Sequence, residues 1–421
     1  MKIILINNFH YLKGGSEAVY FNTAELLKEH GHEVIFFSFR REENTLCNQE
    51  KYFVNVGSSL CQLKAYFYNK EAAQQLEKLL KAEKPDIAHV HLFWGGLSPS
   101  IFKILKKHRV PLVHTAHDYR MVCPSYTFKD GAGKACERCK KWNYYQCALH
   151  RCSKGSIVQS MLMTLEMYIR QLLFNPLKNI SGFVFVSHFS EQKHIEHQPG
   201  FQRANRIVLY NYTNPLFSLD LSMKDDYFLF FGRLSFEKGI PTLLKVFARH
   251  PELQLKIVGT GPLEETLKAE YPTKESALTG APVQPQKCYE NIQFVGYHSG
   301  ETLAELVRSA RFVCVPSECY ENNPMTIVES YSYGTPIIGA DIGGIPEILD
   351  EGITGYLFKS GDVDDLDRVI SIAASVDEQK YINLCNSAYE FYRKNFSEQH
   401  HYERLIDFYQ QTMASKTETH I

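Results

Sequence analysis

Short runs of β-branched and aromatic residues alternate with longer amphipathic stretches along most of the chain, and this alternation occurs in two successive series. Such alternation is typical of parallel sheets whose strands are joined by helices. The first series of predicted strands comprises Ile3–Asn7, Glu33–Phe37, Ile87–Val90, Leu112–Thr115, Phe183–Val186 and Arg206–Leu209. The second series comprises Tyr227–Phe231, Gln254–Val258, Ile292–Val295, Phe312–Val315 and Pro336–Gly339. The sequence therefore predicts an α/β protein with two parallel sheets.

The chain of 421 residues is long enough for two domains. A loop-like segment, Asn211–Asp226, separates the two series, so we predict one domain over residues 1–212 and another over residues 213–395. A final helix in residues 396–421 has no strand after it and is expected to pack back across the domain boundary. An insert at about residues 120–180 interrupts the first series.

The charge balance argues against some classes of partner. There are 46 Lys and Arg residues and 47 Asp and Glu residues, so bulk electrostatic binding of nucleic acid is not expected. The N-terminus does not resemble a signal peptide, and no apolar run is long enough to cross a bilayer. We therefore expect a cytoplasmic protein, whose 11 cysteines would be thiols or metal ligands.

Two turns that follow predicted strands are rich in glycine. Gly14-Gly15 precedes a helix, and Gly259-Thr260-Gly261 follows the strand that ends at Val258. Glycine lets a backbone approach a phosphate or a ribose closely, and a helix start offers N–H donors to an anion. A plain tight turn is the alternative at both places.

A third turn carries two cations. Arg233 and Lys238 lie five residues apart after the strand that ends at Phe231. A guanidinium fork and a point-charge ammonium together suit a diphosphate, although two solvated surface cations would give the same pattern.

The fourth turn contains two glutamates. Pro324 suits the first position of a helix and Asn323 the cap before it. Glu321 would then lie on the loop ahead of the helix and Glu329 about a turn and a half inside it. Carboxylates accept hydrogen bonds from paired hydroxyl groups, which a sugar or a ribose presents. Read alone, both would be ordinary surface acids.

Histidines follow two strands of the first series. His117 could bond a sugar hydroxyl or the acceptor, or could be a loop histidine held by Asp118. His89 and His91 share one face of their strand, with Trp94 just beyond. Because no third ligand is visible, a metal at this pair is not expected, while a wall of the acceptor site is plausible.

The insert contains a cysteine cluster. Cys136-x2-Cys139 and Cys147-x4-Cys152 together could hold a tetrahedral structural zinc ion, with Cys123 and His150 as alternative ligands. Free thiols in a packed lid are the alternative.

After the cysteines, the segment Ser156–Phe174 predicts an amphipathic helix. We expect its apolar face to be buried against the first domain. Shallow contact with a membrane that carries a lipid-linked acceptor is the alternative, which the basic residues Lys103, Lys106, Lys107 and Arg109 favour.

Taken together, the four turns resemble those of the retaining glycosyltransferases of family 4. The resemblance implies the GT-B fold, in which two Rossmann-like domains face each other across a cleft, the first binding the acceptor and the second the nucleotide sugar. It implies that Arg233 and Lys238 bind the diphosphate and that Glu321 contacts the transferred sugar. It also implies a ribose contact for Glu329 and a catalytic role for His117.

The resemblance further implies donor contacts from Gly15 and Gly259. The family usually has glycines and an aromatic residue after the first glutamate, whereas this chain has Asn322-Asn323-Pro324-Met325. Since proline has no N–H, donor contacts there are expected from Asn323, Met325 or Thr326.

The implied reaction moves a sugar from a UDP- or GDP-sugar to a glycan or lipid-linked acceptor, with retention of anomeric configuration and with no metal or other cofactor required for catalysis. The expected setting is cell-surface polysaccharide synthesis. Two alternatives remain, namely an epimerase acting on nucleotide sugars and a catalytically silent partner that binds them.

Overall fold

The computed structural model describes residues 1–56, 65–272 and 288–418. The chain divides into two compact units. Unit 1 comprises Met1–Tyr210 together with Gln399–Ile421, and unit 2 comprises Asn211–Glu398. These divisions fall a few residues from the domain limits predicted from the sequence, and the C-terminal segment belongs to unit 1.

Unit 1 is built on a six-stranded parallel sheet with the strand order β2-β1-β3-β4-β5-β6. Its strands are β1 (Lys2–Ile6), β2 (Glu33–Phe37), β3 (Ile87–Val90), β4 (Leu112–Ala116), β5 (Gly182–Phe185) and β6 (Arg206–Val208). The side chains from Ile3 to Ile6 are fully buried, as expected for a central strand in a parallel sheet covered on both faces. The chain changes direction across the sheet between β1 and β3, where ligands usually bind in such folds.

In the described part of the chain, seven helices of unit 1 come before β6, the last strand of its sheet. They are α1 (Gly15–Glu29), α2 (Lys70–Glu83), α3 (Ser100–Lys107), α4 (Tyr145–Leu149), α5 (Ile157–Leu173), α6 (Pro176–Asn179) and α7 (His188–His197). Polar caps fix some of these starts, since the side chains of Asn69 and Ser156 accept backbone hydrogen bonds at the beginnings of α2 and α5. Helices α4, α5 and α6 belong to the insert.

Unit 2 is built on a second six-stranded parallel sheet, with the strand order β12-β11-β10-β7-β8-β9. Its strands are β7 (Tyr227–Phe231), β8 (Gln254–Val258), β9 (Ile292–Gly296), β10 (Phe312–Val315), β11 (Ile337–Ala340) and β12 (Gly355–Phe358). Its helices in the described residues are α8 (Ile240–Phe247), α9 (Glu264–Glu270), α10 (Gly300–Ser309), α11 (Met325–Ser332), α12 (Val363–Ala374) and α13 (Glu378–Asn395). The order reverses between β7 and β10.

The last helix, α14 (Glu398–Glu418), packs on unit 1. The Tyr409 hydroxyl lies 2.6 Å from Nδ1 of His89 in the core of that unit. The Tyr402 hydroxyl lies 2.9 Å from Nε2 of His32. None of the helices in the described part of the chain combines the length and the apolar run that are needed to span a bilayer.

The two parallel sheets confirm the predicted α/β fold, with two corrections. Strand β12 was not predicted, because only three apolar residues follow Gly355, which is too short a run to indicate a strand. A β-carbon at Gly355 would lie 2.0 Å from the carbonyl oxygen of Ile337, so the close strand pairing there requires glycine. The prediction that α5 buries its apolar face is also wrong, because that face is exposed and the polar face is buried.

Candidate active site

The predicted diphosphate and sugar residues of unit 2 meet where the strand order reverses. Lys238 lies on the loop after β7 and Glu321 on the loop after β10, and these strands are neighbours in the sheet. The Lys238 Nζ atom lies 2.6 Å from Oε1 of Glu321. The Ser317 hydroxyl donates to the same carboxylate oxygen at 2.7 Å. Ligands of open parallel sheets bind at the carboxyl ends of the strands at this kind of position.

Glycines hold the loop after β10 against two other loops, the one after β7 and the one after β11 that contains Gly344. Gly239 has a φ of 68°, and a β-carbon there would lie 1.7 Å from the carbonyl oxygen of Pro316. The Gly344 N–H donates to the carbonyl of Glu321 at 2.7 Å, and a β-carbon at Gly344 would lie 2.0 Å from the Asn322 carbonyl oxygen. Only glycine permits such close backbone contact, so the positions of Lys238 and Glu321 are fixed by the loop packing.

Electrostatics keeps Lys238 charged. Burial alone would lower the pKa of this ammonium, but the adjoining Glu321 carboxylate outweighs it and holds the pKa above its usual value. An ammonium that is charged at neutral pH and fixed by a carboxylate is suited to neutralise a developing phosphate charge.

Arg233 and Gly259 border the same edge of the sheet. The Arg233 side chain is exposed and forms no ion pair with any of the described residues. Gly259 follows β8 with a φ of 134°, and a β-carbon there would lie 2.0 Å from the Gly232 carbonyl oxygen. The loops after β7 and β8 are therefore in backbone contact, and the free guanidinium projects from the first of them.

Glu329 lies on α11 as predicted, although only about one turn from its start, because the helix begins at Met325. Its carboxylate is partly buried and accepts no hydrogen bond within the described part of the chain. Burial raises the pKa of Glu329 to about 7. Such a group lacks a donor that would stabilise its charge, and the hydroxyls of a ribose could supply one. Met325 and Thr326 form the first turn of this helix, where N–H groups have no intrahelical acceptor.

Asn323 does not occupy the position predicted for it, the cap of helix α11. Pro324, rather than Asn323, is the N-cap of α11, and no side chain caps the helix. The Asn323 Oδ1 atom accepts from the Asn211 N–H at 2.7 Å, and the Asn211 side chain donates to the Asn323 carbonyl at 3.0 Å. The side chain thus ties this loop to the first residue of unit 2, so its predicted donor contact would have to come from the backbone.

We expect donor affinity to depend on the ionisation of Glu329. Because its pKa is raised to about 7, the carboxyl takes up a proton as the pH falls through 7 and becomes a weaker acceptor for hydroxyl donors. The dissociation constant of a sugar nucleotide should therefore rise roughly tenfold between pH 8 and pH 6. Calorimetric titration measures it, and the Glu329→Gln variant should show a flat profile. An unchanged constant in the wild type would contradict the assignment.

In unit 1, the loops after β1 and β3 are joined by buried polar groups. Glu17, in the first turn of α1, is buried and accepts from the side chain of Asn7 at 3.4 Å. The Asn7 Oδ1 atom accepts from the Leu92 N–H at 2.9 Å. Helix α1 begins at Gly15, which is exposed, with Gly14 as its N-cap. The predicted glycine-rich turn therefore stands at the switch between β1 and β3.

Three histidines lie side by side at the carboxyl ends of β3 and β4. The His117 Nε2 atom lies 2.8 Å from Nδ1 of His91, and the His91 ring lies 4.4 Å from that of His89. His89 also contacts the Thr115 hydroxyl at 2.6 Å. Because His89 and His91 are buried, the hypothesis that they form a wall of the acceptor site is wrong. Instead, His91 contacts His117, and His89 packs against His91.

His117 is neutral at physiological pH. Burial, with a smaller contribution from His114, lowers its pKa to about 3. A neutral imidazole can donate or accept a hydrogen bond but does not carry a charge, so any contact of His117 with a sugar hydroxyl would not require a proton from solution.

A cavity of about 640 Å³ lies in unit 1. Its walls include Trp94, Gly95 and Gly96 after β3, and Asp118 and Arg120 after β4. Trp94 and Asp118 could be named from the sequence, but Arg120 could not, because it belongs to no spaced motif.

The cysteines of the insert lie near one another. Cys139 and Cys147 are buried beside Met167, with Cys152 packed against them. A hydrogen bond to Cys147 and burial raise the pKa of the Cys152 thiol. Within the described residues, however, no three cysteine sulfur atoms lie within 4.8 Å of one another, so the thiols as placed are not a closed tetrahedral set.

Zinc binding by Cys136, Cys139, Cys147 and Cys152 stays a prediction. We expect about one zinc ion per chain in protein purified without chelators, measured by plasma mass spectrometry. The metal should be lost in the Cys139→Ser variant and retained in Cys47→Ser, a matched control outside the insert. Metal-free wild-type protein would contradict the prediction.

Glu137, Glu196 and His197 do form a group of possible metal ligands in the described residues. Their ligand atoms lie within 4.8 Å of one another. Both carboxylates are already paired, because Lys193 Nζ lies 2.8 Å from Glu137 and 3.1 Å from Glu196. Lys140 adds a further ion pair to Glu137 at 2.9 Å. These ammonium groups occupy the place that a cation would take, so we assign no metal here.

Two family models match the chain in succession. The model described as Glycosyltransferase Family 4 matches residues 13–215, and the model described as Glycosyl transferases group 1 matches residues 214–390. An uncharacterized 42.6 kDa protein in the cps region of Klebsiella pneumoniae is 24% identical over 407 residues, covering 91% of this chain and 96% of that protein.

Solved glycosyltransferase structures share the fold. Sucrose-phosphate synthase from Thermosynechococcus elongatus superposes with a TM-score of 0.71 at 19% identity, over 98% of this chain and 99% of that one. HepE from Anabaena in complex with UDP superposes with a TM-score of 0.67 at 16% identity, over 98% of this chain and 100% of that one. With both family models matched in order and both sheets in place, the chain belongs to glycosyltransferase family 4 and has the GT-B fold.

Proposed function

We propose that the protein transfers a sugar from a nucleotide diphosphate sugar to a glycan or lipid-linked acceptor with retention of anomeric configuration. The observation that carries this proposal is the contact of 2.6 Å between Lys238 and Glu321 at the switch point of unit 2. It brings a fixed cation and a hydroxyl-binding carboxylate together at the edge of the sheet where a phosphate-activated sugar would bind.

Each charged side chain of unit 2 takes a separate part of the donor. Arg233 and Lys238 bind the diphosphate and neutralise the charge that grows as the bond to the sugar breaks. Glu321 accepts hydrogen bonds from hydroxyls of the transferred sugar, and Glu329 from those of the ribose. The N–H groups of Met325 and Thr326, with the loop at Gly259, complete the donor contacts of unit 2. A donor contact of Gly15 in unit 1 stays a prediction.

In the proposed reaction, the acceptor hydroxyl attacks the anomeric carbon on the face from which the diphosphate departs. The bond from that carbon to the phosphate oxygen breaks, and a diphosphate oxygen takes the proton of the acceptor hydroxyl. His117 holds a sugar hydroxyl as a neutral hydrogen-bonding group. The protein contributes orientation and charge stabilisation, with no covalent bond to the sugar.

UDP is the first nucleotide to test, ahead of GDP. HepE, which shares the fold, has been solved with UDP and with UDP-glucose. The setting we infer is cell-surface polysaccharide synthesis in the cytoplasm, at the inner face of the membrane. Support for it comes from the full-length relative in the cps region of Klebsiella pneumoniae.

A two-step experiment tests the proposal. Purified protein is first screened against UDP- and GDP-sugars for a rise in melting temperature, because a ligand that binds the native state stabilises it. The sugars that stabilise it are then incubated with acceptor glycans or lipid-linked acceptors, and diphosphate release and product anomer are measured. We expect release that depends on the acceptor and a product with the donor's anomeric configuration.

Other outcomes would overturn the proposal in distinct ways. Conversion of one sugar nucleotide into another without diphosphate release would indicate an epimerase. Binding with neither conversion nor transfer would indicate a silent partner. An inverted product would leave a glycosyltransferase but exclude the retaining mechanism.

A further inference from the structure

Helix α5 in the insert of unit 1 buries its polar side and exposes its apolar side. Its buried side is mostly polar, and its buried residues are Ser160, Thr164, Glu166, Met167, Arg170 and Gln171. Arg170 forms two hydrogen bonds of 3.0 Å with Glu166, and it stacks on Trp94 with 4.1 Å from its guanidinium carbon to the ring centre. The stacking on Trp94, together with a hydrogen bond of 2.7 Å from Arg170 to the Arg120 carbonyl, fixes which side of the helix faces the protein.

The outward side of α5 is apolar. Its exposed residues include Ile157, Val158, Met161, Leu165, Leu172 and Leu173, with exposed fractions between 43% and 72%. The positions 158, 161, 165 and 172 repeat at helical spacing and so lie on one face. A helix on a water-soluble surface normally has the opposite arrangement, so an apolar face of this size marks an interaction site.

The apolar face continues onto the preceding helix. Tyr168 of α5 donates through its hydroxyl to the carbonyl of Trp142 at 2.9 Å. Trp142, Tyr145 and Leu149 are exposed. We call the set the insert face, and its members are Trp142, Tyr145, Leu149, Ile157, Val158, Met161, Leu165, Leu172 and Leu173. Half of the 18 large hydrophobic residues that are exposed in the described part of the chain lie here.

The charge around the insert face is strongly positive. Residues 138–178 contain seven Lys and Arg residues and one acidic residue, a net charge of +6, although the whole chain has a net charge of −1. Three of these cations form ion pairs. The other four are exposed without an ion pair to any described residue, and they are Lys141, Arg151, Lys154 and Lys178. They stand beside Trp142 and at both ends of α5.

We propose that the insert face lies on the surface of a bilayer that contains anionic lipid. An amphipathic helix in the plane of the interface buries its apolar side among acyl chains and keeps its cations at the headgroups. Trp and Tyr are the aromatic residues that favour this interface. Contact between two copies would also cover the apolar face, but it would bring together two faces that each carry four exposed cations without an ion pair to any described residue. The inference concerns where the enzyme works, and it does not depend on the sugar or the direction of transfer.

Vesicle flotation with the full-length protein tests this inference. We expect the protein to float with phosphatidylcholine vesicles that contain phosphatidylglycerol. Binding should fall with added salt and be much weaker on phosphatidylcholine alone. The Leu165→Gln/Leu172→Gln variant should bind about 100-fold more weakly, since two leucine side chains no longer enter the bilayer. Both positions are exposed, so circular dichroism should show an unchanged fold.

A matched control and a second measurement separate the remaining outcomes. The Leu216→Gln/Ile353→Gln variant changes two exposed apolar residues of unit 2 and should float like the wild type. Failure of the wild type to float, or equal flotation of the two variants, would overturn the inference. Light scattering provides the other check. If the wild type is a dimer and the Leu165→Gln/Leu172→Gln variant is a monomer, the insert face is a contact between copies.

Discussion

Replacement of Lys238 by alanine should lower kcat/KM by about 100- to 1000-fold, the loss typical when one fixed charge or donor at a transition state is removed. The reason is the position of its ammonium, which lies 2.6 Å from Glu321 and is held charged by that carboxylate. Without it the departing diphosphate would face the uncompensated Glu321 charge. Steady-state kinetics with the donor identified by the binding screen measures the effect.

The matched control for this variant is Lys245→Ala. Lys245 is an exposed lysine on α8 of the same unit and takes part in no ion pair with the described residues. It should retain wild-type kinetics, and both variants should melt within a few degrees of the wild type. Wild-type turnover in Lys238→Ala would remove the assigned diphosphate site.

The second large effect is expected for Glu321→Gln. The amide keeps the shape of the side chain but loses the charge that orders Lys238 and that accepts sugar hydroxyls in the proposed reaction, so kcat should fall by about 100-fold or more. Because the two side chains act as one unit, the Lys238→Ala/Glu321→Gln double variant should be little worse than the poorer single variant.

A double-mutant cycle on kcat/KM provides the measurement. Effects that multiply fully would show that Lys238 and Glu321 act independently, which their shared contact in the structure argues against. Glu318 offers a control acid in the same loop. Its carboxylate accepts from the Thr242 hydroxyl at 2.6 Å rather than from Lys238, so Glu318→Gln should cost much less activity.

The fold could be predicted from the sequence because parallel sheets bury continuous apolar runs. Strands such as Ile3–Ile6 and Phe228–Phe231 are uninterrupted, and every residue between those bounds is buried. The missed strand, Gly355–Phe358, has only three apolar residues after a loop glycine. Its pairing with β11 depends on a backbone approach that side-chain patterns do not encode.

The candidate site was partly predictable for a different reason. Charged residues that follow the strands of a parallel sheet lie at one edge of it, so Lys238 and Glu321 could each be named as site residues, while their direct contact required the strand order. The place of Asn323 could not be predicted. Its sequence position suits a helix cap, yet its side chain bonds Asn211, which is 112 residues away. The burial of His89 likewise depends on α14, which comes from the other end of the chain.

Periodicity located α5 but could not orient it. The helical spacing of its apolar residues is the same whether that face points inward or outward. The stacking of Arg170 on Trp94 and the hydrogen bond from Arg170 to the Arg120 carbonyl decide the orientation, because these contacts join α5 to the loops that follow β3 and β4. A sequence pattern reports that a helix has two faces, and tertiary contacts determine which one is covered.

The buried histidines of unit 1, inside and outside the row beside His117, make this unit sensitive to acid. Burial lowers the pKa of His10, His114 and His401 to about 4, well below the usual 6.5. The unfolded chain therefore binds protons below pH 6.5 that the folded unit does not, and each such histidine costs about 3 kcal/mol of stability by pH 4. Unit 2 contains only His250 and His298. On acidification unit 1 should lose its structure first, which amide hydrogen exchange at pH 7 and pH 5 can resolve; equal protection losses in both units would contradict this.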